Sequence, residues 1–159
     1  MGGMSPDKFL WVFVEGNYND FLDKGASVRR GFNAVVSAFH MADHYYNYCS
    51  RHAPTHRILK YGGREGYLKY LSSKSEYFND VQSIANAYKH LYQRNKNKPH
   101  VTVSSAGTIE DLKSSDFEME GDVSYVIYTR KSNKKVKFRL SEALKSVINL
   151  WEEELKDCP

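Results

Sequence analysis

The segment Asn33-Ala-Val-Val-Ser-Ala-Phe-His40-Met-Ala-Asp43-His44 interleaves ionisable and amide side chains with an apolar stripe. At about 100 degrees per residue of helix, Asn33, His40 and His44 share a sector of roughly 40 degrees at the edge of that stripe. Asp43 projects among apolar positions near Phe32 and Val36, and a carboxylate there needs a cation or several donors to stay charged. A second segment, Asn79-Asp-Val-Gln-Ser83-Ile-Ala-Asn86-Ala-Tyr-Lys89-His90, sets Asn79, Ser83, Asn86 and His90 along one helical stripe. That stripe is either the solvated side of an amphipathic helix or the wall of a site. Asn and His are weaker helix formers than the Glu, Lys and Gln that usually fill a solvated face.

These residue types suit general acid–base chemistry. Were the substrate an RNA phosphodiester, attack by a ribose 2′-hydroxyl would need a general base, a general acid and a cation near the phosphate, and no metal or other cofactor. His90 fits the base or acid, Lys89 the phosphate partner and Asn86 a positioning donor, with His40 and Asp43 as a second acid–base or orienting pair. Lys89 and His90 are adjacent and project about 100 degrees apart, so they serve one site only if it wraps around the helix. A metal reading starts from the i,i+4 spacing of His40 and His44, with Asp43 and His90 as further ligands. No Glu stands between the two imidazoles as in the hydrolytic zinc motif.

A binding module is the rival expectation. Arg130, Lys131, Lys134, Lys135 and Lys137 surround a hairpin turn at Ser132-Asn133, and Arg94, Lys96 and Lys98 precede it. Such a patch suits nucleic-acid phosphates, RNA among them, or an acidic protein partner. The plain alternative is a hairpin tip whose lysines discourage edge pairing. Tyr45, Tyr46 and Tyr48 read as core or as the interface of a homodimer, not as ligand contacts.

The elements that must position these residues are mainly helical. Ser5-Pro6-Asp7 opens a first helix to about Asp23, with Gly16 and Asn17 weakening its middle and Gly25 ending it. A second helix runs from about Ser27 to Arg51, with Phe32, Val35, Val36, Phe39, Ala42, Tyr46 and Cys49 inward. A loop from His52 to Gly63 leads to a third helix from about Glu65 to Arg94, whose apolar face uses Tyr70, Tyr77, Val81, Ile84, Tyr88 and Leu91. The period then drops to two: Val101 and Val103, Asp122 to Arg130, and Val136, Phe138 and Leu140 read as strands. A last helix from a Ser141 cap aligns Leu144, Val147, Ile148, Trp151 and Leu155. The expected fold is α+β and mainly α: one domain over 1–159, with three helices over 5–96, a small antiparallel β insertion over 100–140 and a C-terminal helix over 141–157 closing a four-helix bundle.

Composition fits one folded core. The chain has 159 residues, 41% of them hydrophobic and 14% aromatic, which excludes a disordered chain. Two cysteines are too few for a disulfide framework and point to a reducing compartment. The longest early apolar run, Phe9 to Val14, is too short for a signal peptide or a membrane span, so the expected location is the cytoplasm. A net charge of +4 permits an anionic partner without the strong basicity of a dedicated nucleic-acid binder.

An Asn33-Ala34 pair, His40-x-x-Asp43, and then Ala85-Asn86-x-x-Lys89-His90 on the next helix resemble small bacterial helical proteins grouped with the HEPN superfamily. The resemblance covers about residues 27 to 95. It implies a helical bundle, commonly dimeric, and a metal-independent ribonuclease of toxin–antitoxin or antiviral systems. The superfamily's signature is an Arg followed four to six positions later by a His. Here that spacing occurs from Arg51 to His56 and from Arg94 to His100, each with a proline between and each in a loop, while the third helix offers Lys89 beside His90.

Overall fold

The computed structural model describes residues 3–23, 28–92, 117–120, 123–129 and 135–159; at residue 28 and across 87–92, 117–120, 123–129 and 135–136 it describes the backbone alone. The chain is mainly helical. The expected positions Gly25, Arg94, Val101, Val103, His100, Arg130, Lys131, Ser132, Asn133 and Lys134 lie outside the described residues.

The first helix starts where expected. Ser5 caps α1 (Pro6–Phe9), its Oγ accepting from the Lys8 N–H at 3.4 Å, with Pro6 in the first turn. It is not one continuous α-helix. A π-helical segment, Leu10–Glu15, separates α1 from α2 (Gly16–Asp23). The widened turn directly precedes Gly16, where helix propensity is lowest. It turns Leu10 and Val14 into the core and leaves Trp11, Val12 and Phe13 outside, Trp11 at 69% exposure.

Helix α3 (Val28–His52) lies against α2, the π-helical segment, α5 and α6. Phe32, Val35, Phe39, Ala42 and Cys49 are buried as their spacing predicts, and Ala34, Ala38, Met41 and Tyr45 are buried with them. Its core face is therefore wider than one stripe. Gly31 belongs to it: a Cβ there would stand 2.9 Å from Leu140 Cδ2 and 3.4 Å from Phe21 Cε2.

Between His52 and Gly63 the chain makes a 3₁₀ turn, Arg57–Tyr61, that plants Ile58 in the core. The long third helix is two helices, α4 (Gly63–Lys74) and α5 (Glu76–Tyr92). Ser75 breaks it: the backbone is extended there, and Ser75 Oγ accepts from the Phe78 N–H at 3.3 Å, which makes Ser75 the cap of α5. The serine run before Glu76 carried that signal, and the apolar periodicity on both sides concealed it. Val81 and Ile84 are buried and Tyr70 and Tyr77 half-buried, while the side chains of Tyr88 and Leu91 are among those not described.

Three strands, β1 (Phe117–Glu120), β2 (Val123–Thr129) and β3 (Lys135–Arg139), follow in that order, each antiparallel to the next, with Phe117 opposite Val126 and Val126 opposite Phe138. Helix α6 (Leu140–Glu154) starts one residue before Ser141, with Arg139 at the cap position, and continues into a 3₁₀ turn, Leu155–Asp157. Leu144, Val147, Ile148, Trp151 and Leu155 are all buried. Trp151 stands edge-on to Phe78 with centroids 5.9 Å apart, and its Nε1 donates to the Ala38 carbonyl at 2.9 Å. A buried indole keeps its polar handle satisfied that way.

Candidate functional site

The polar residues of α3 do not form one cluster: Asn33 and His40 share a groove, while Asp43 and His44 turn to other neighbours. Asn33 and His40 line an open groove of about 290 Å³ together with Val36 and Ser37 of the same helix and Phe9, Phe13 and Asn17 of the N-terminal helical stretch. Asn33 is exposed, and His40 is half-buried with its Nε2 shielded from solvent. The Ser37 hydroxyl donates to its own helix at the Ala34 carbonyl, 3.1 Å away, so it presents an acceptor to the groove. Two phenyl rings, two carboxamides and an imidazole make a cleft that is apolar in bulk and polar at a few points, the usual make-up of a ligand site.

Asp43 is placed otherwise than its helical projection predicts. It sits at the edge of the core with 32% of its side chain exposed, where the Arg64 guanidinium grips it: Nε donates to Oδ1 and a terminal nitrogen to Oδ2 at 3.1 Å. The required cation is thus supplied by α4. Arg64 also donates to Glu65 at 3.0 Å, and Asp43 holds the guanidinium pKa above its ordinary value. The two-pronged bond fixes the corner between α3 and α4.

His44 is also committed. Its ring stacks on Phe9 with centroids 4.5 Å apart, and Nε2 donates to the Met4 carbonyl at 2.9 Å, which fixes the tautomer and ties the start of the chain to α3. The metal reading loses two of its ligands to these contacts, and among the described residues no group of three His, Cys, Asp or Glu side chains is placed to hold a metal ion.

On α5 the polar stripe is partly internal. Ser83 is buried, its hydroxyl donating to the Asn79 carbonyl at 2.8 Å, and Asp80 is buried beside it. Asn86 is half-buried; Lys89 and His90 lie on the helix, and their side chains are outside the described set, as is that of Lys135 on β3.

The densest polar assembly was not expected from the sequence. Glu154, buried at the end of α6, accepts from Tyr70 at 3.0 Å through Oε1 and from Tyr67 at 3.3 Å and Arg57 at 3.2 Å through Oε2. Arg57 also donates from Nε to Asp157 at 2.6 Å and from a terminal nitrogen at 3.0 Å, and Tyr45 donates to the Glu154 carbonyl at 3.2 Å. His56 completes the assembly: Nε2 donates to the Asp157 carbonyl at 3.0 Å while Nδ1 accepts from the Ile58 N–H at 3.5 Å. So the imidazole of the Arg51-to-His56 spacing is fixed on the C-terminal turn, while Arg51 stays exposed on α3. The hydrogen bond to Arg57 holds the Asp157 carboxyl below its usual pKa. Burial, and then Glu154, push the Tyr67 hydroxyl upward and that of Tyr70 up to about 12. Every acceptor here has donors, which identifies a structural clasp between the 3₁₀ turn, α4 and the end of α6. Its partners lie about a hundred positions apart, and nothing local in the sequence marks them.

No helix among the described residues is long and apolar enough to cross a membrane. No known family model, curated protein or solved structure compared with the chain matches it.

Proposed function

We propose that the chain is a HEPN-like four-helix bundle with an antiparallel insertion, and that it handles RNA at the groove beside α3. The observation that carries this reading is the groove itself: Phe9 and Phe13 give it an aromatic lining suited to a base, and Asn17, Asn33 and His40 polar groups suited to its edge. The net charge of +4 favours an anionic ligand over a cationic one.

In this reading His40 is the acid–base group. Its imidazole accepts the proton of a 2′-hydroxyl or returns one to the departing 5′-oxygen, and a cation nearby meets the phosphate charge without a metal. Lys89, Asn86 and His90 of α5, and Arg130, Lys131, Lys134 and Lys135, are proposed as further residues that act on the RNA. Asp43, with Arg64, supports the helix pair at the edge of the site. Its setting is the toxin or antiviral type of system that the resemblance implies, acting as a homodimer. A binding module without catalysis is the second reading, favoured by one observation: the groove is ring-lined and open, the form of a base-binding cleft.

The test is incubation of structured and single-stranded RNAs with the protein in EDTA, alongside His40→Ala, His90→Ala and a His56→Ala, His100→Ala double variant. Cleavage lost in His40→Ala and His90→Ala and kept in the double variant is the expected result. Binding without cleavage, weakened by Asn33→Ala and by salt, selects the binding module. Neither binding nor cleavage by folded protein overturns both.

A further inference from the structure

A second aromatic surface stands apart from the groove, at the corner between the 3₁₀ turn and α4. Tyr61 and Tyr70 stack with centroids 4.3 Å apart and planes 20° from parallel, and Tyr67 lies 6.2 Å from each with its plane within 30° of both. Near-parallel triples are not the default for aromatic clusters, which take tilted and edge-on contacts freely. Here two devices enforce the arrangement. Glu154 fixes Tyr67 and Tyr70 by their hydroxyls, and Gly66 lets α4 close onto the turn: a Cβ at Gly66 would fall 1.6 Å from the Tyr61 carbonyl oxygen.

The outermost ring, Tyr61, is 37% exposed. The Lys74 ammonium lies 5.4 Å from the Tyr70 centroid, and Lys60 and Lys69 are exposed on the same turn and helix. Between Arg57 and Lys74 the sequence carries five basic residues and one acid, Glu65. Arg57 and Arg64 are occupied by carboxylates, which leaves the lysines to set the local charge.

We propose that the Tyr61–Tyr70 stack is a platform on which an unpaired RNA base stacks, with Lys74 and Lys60 meeting the flanking phosphates. Any base has a face to offer a tyrosine ring, so the platform binds without sequence preference. The lysines favour a nucleic-acid strand over a neutral or basic peptide. The identity of the strand rests on the proposed RNA function; the platform itself is separable from the groove.

The experiment is titration of the full chain with a fluorescent single-stranded oligoadenylate at low salt, for wild type, Tyr61→Phe, Tyr61→Ala and the groove variant Asn33→Ala, each checked for folding by circular dichroism. Tyr61→Ala is expected to bind roughly 5- to 150-fold more weakly and Tyr61→Phe like wild type. A Tyr61→Trp variant should be quenched by oligoadenylate and not by an abasic strand of the same length. Loss in Tyr61→Ala alone supports the platform and counts against the groove. Loss in Asn33→Ala alone overturns the platform and keeps the groove. Equal loss toward the abasic strand overturns stacking, and absence of binding by wild type overturns both sites.

Discussion

Arg57 and Glu154 meet where the turn after α3 passes beneath the end of α6, the guanidinium donating to both the side-chain Oε2 and the main-chain carbonyl of the same residue at 3.2 Å. Removing Arg57 leaves a buried carboxylate with only tyrosine hydroxyls. Arg57→Ala is expected to cost about 3–5 kcal/mol, the range for breaking a buried pair on one side. Tyr67→Phe, which removes one neutral donor, should cost about 1 kcal/mol. Urea unfolding of both variants measures the difference.

The clasp also predicts how stability depends on pH. Asp157 has a folded pKa lowered by Arg57, so its contribution is present above the ordinary carboxyl value and is lost as pH falls through the lowered one. Tyr70, raised to about 12, and Cys49, raised to about 12 by burial first and then by Cys158 and Asp157, act in the opposite sense. They stabilise fully at neutral pH and lose that contribution as pH rises toward 12. Thermal melts should therefore fall off on the acid side near the carboxyl range and on the alkaline side above about pH 9. Arg57→Ala should flatten the acid limb.

Cys158 is only partly buried, yet burial, Asp7 and Asp157 raise its thiol to about 11. A raised thiol holds less thiolate at neutral pH than an ordinary one. Iodoacetamide at pH 8 should label the folded chain slowly and the urea-unfolded chain at the normal rate, which mass spectrometry of quenched time points will show.

Gly66→Ala is expected to destabilise the corner between the 3₁₀ turn and α4, because the new methyl meets backbone at Tyr61 and cannot be relieved by a rotamer change. Gly31→Ala meets side chains, Leu140 and Phe21, and should cost about 1–3 kcal/mol. The distinguishing reading is near-ultraviolet circular dichroism, where Gly66→Ala alone should lose tyrosine signal in proportion to the stack.

The helices were legible because apolar periodicity and caps are local: Ser5-Pro6 and the Leu144-to-Leu155 stripe needed no knowledge of their neighbours. The break at Ser75 was hidden by continuous periodicity across it. Asp43 was recognised as a residue in want of a cation, and Arg64, twenty-one positions away, had no spacing that would have named it. Placing Asn33 and His40 together followed from helical geometry alone; their facing Phe9 and Phe13 did not, because the π-helical segment shifts the register of the N-terminal helix.

The hydrogen bonds that tie the helices together skip 97 residues from Arg57 to Glu154, 109 from Tyr45 to Glu154 and 113 from Ala38 to Trp151. Loop-closure entropy for such contacts must be overcome before any of them forms, and rates fall as mean contact separation grows. Although its segments are helical and each can form within microseconds, these bonds can close only once segments about a hundred positions apart have met.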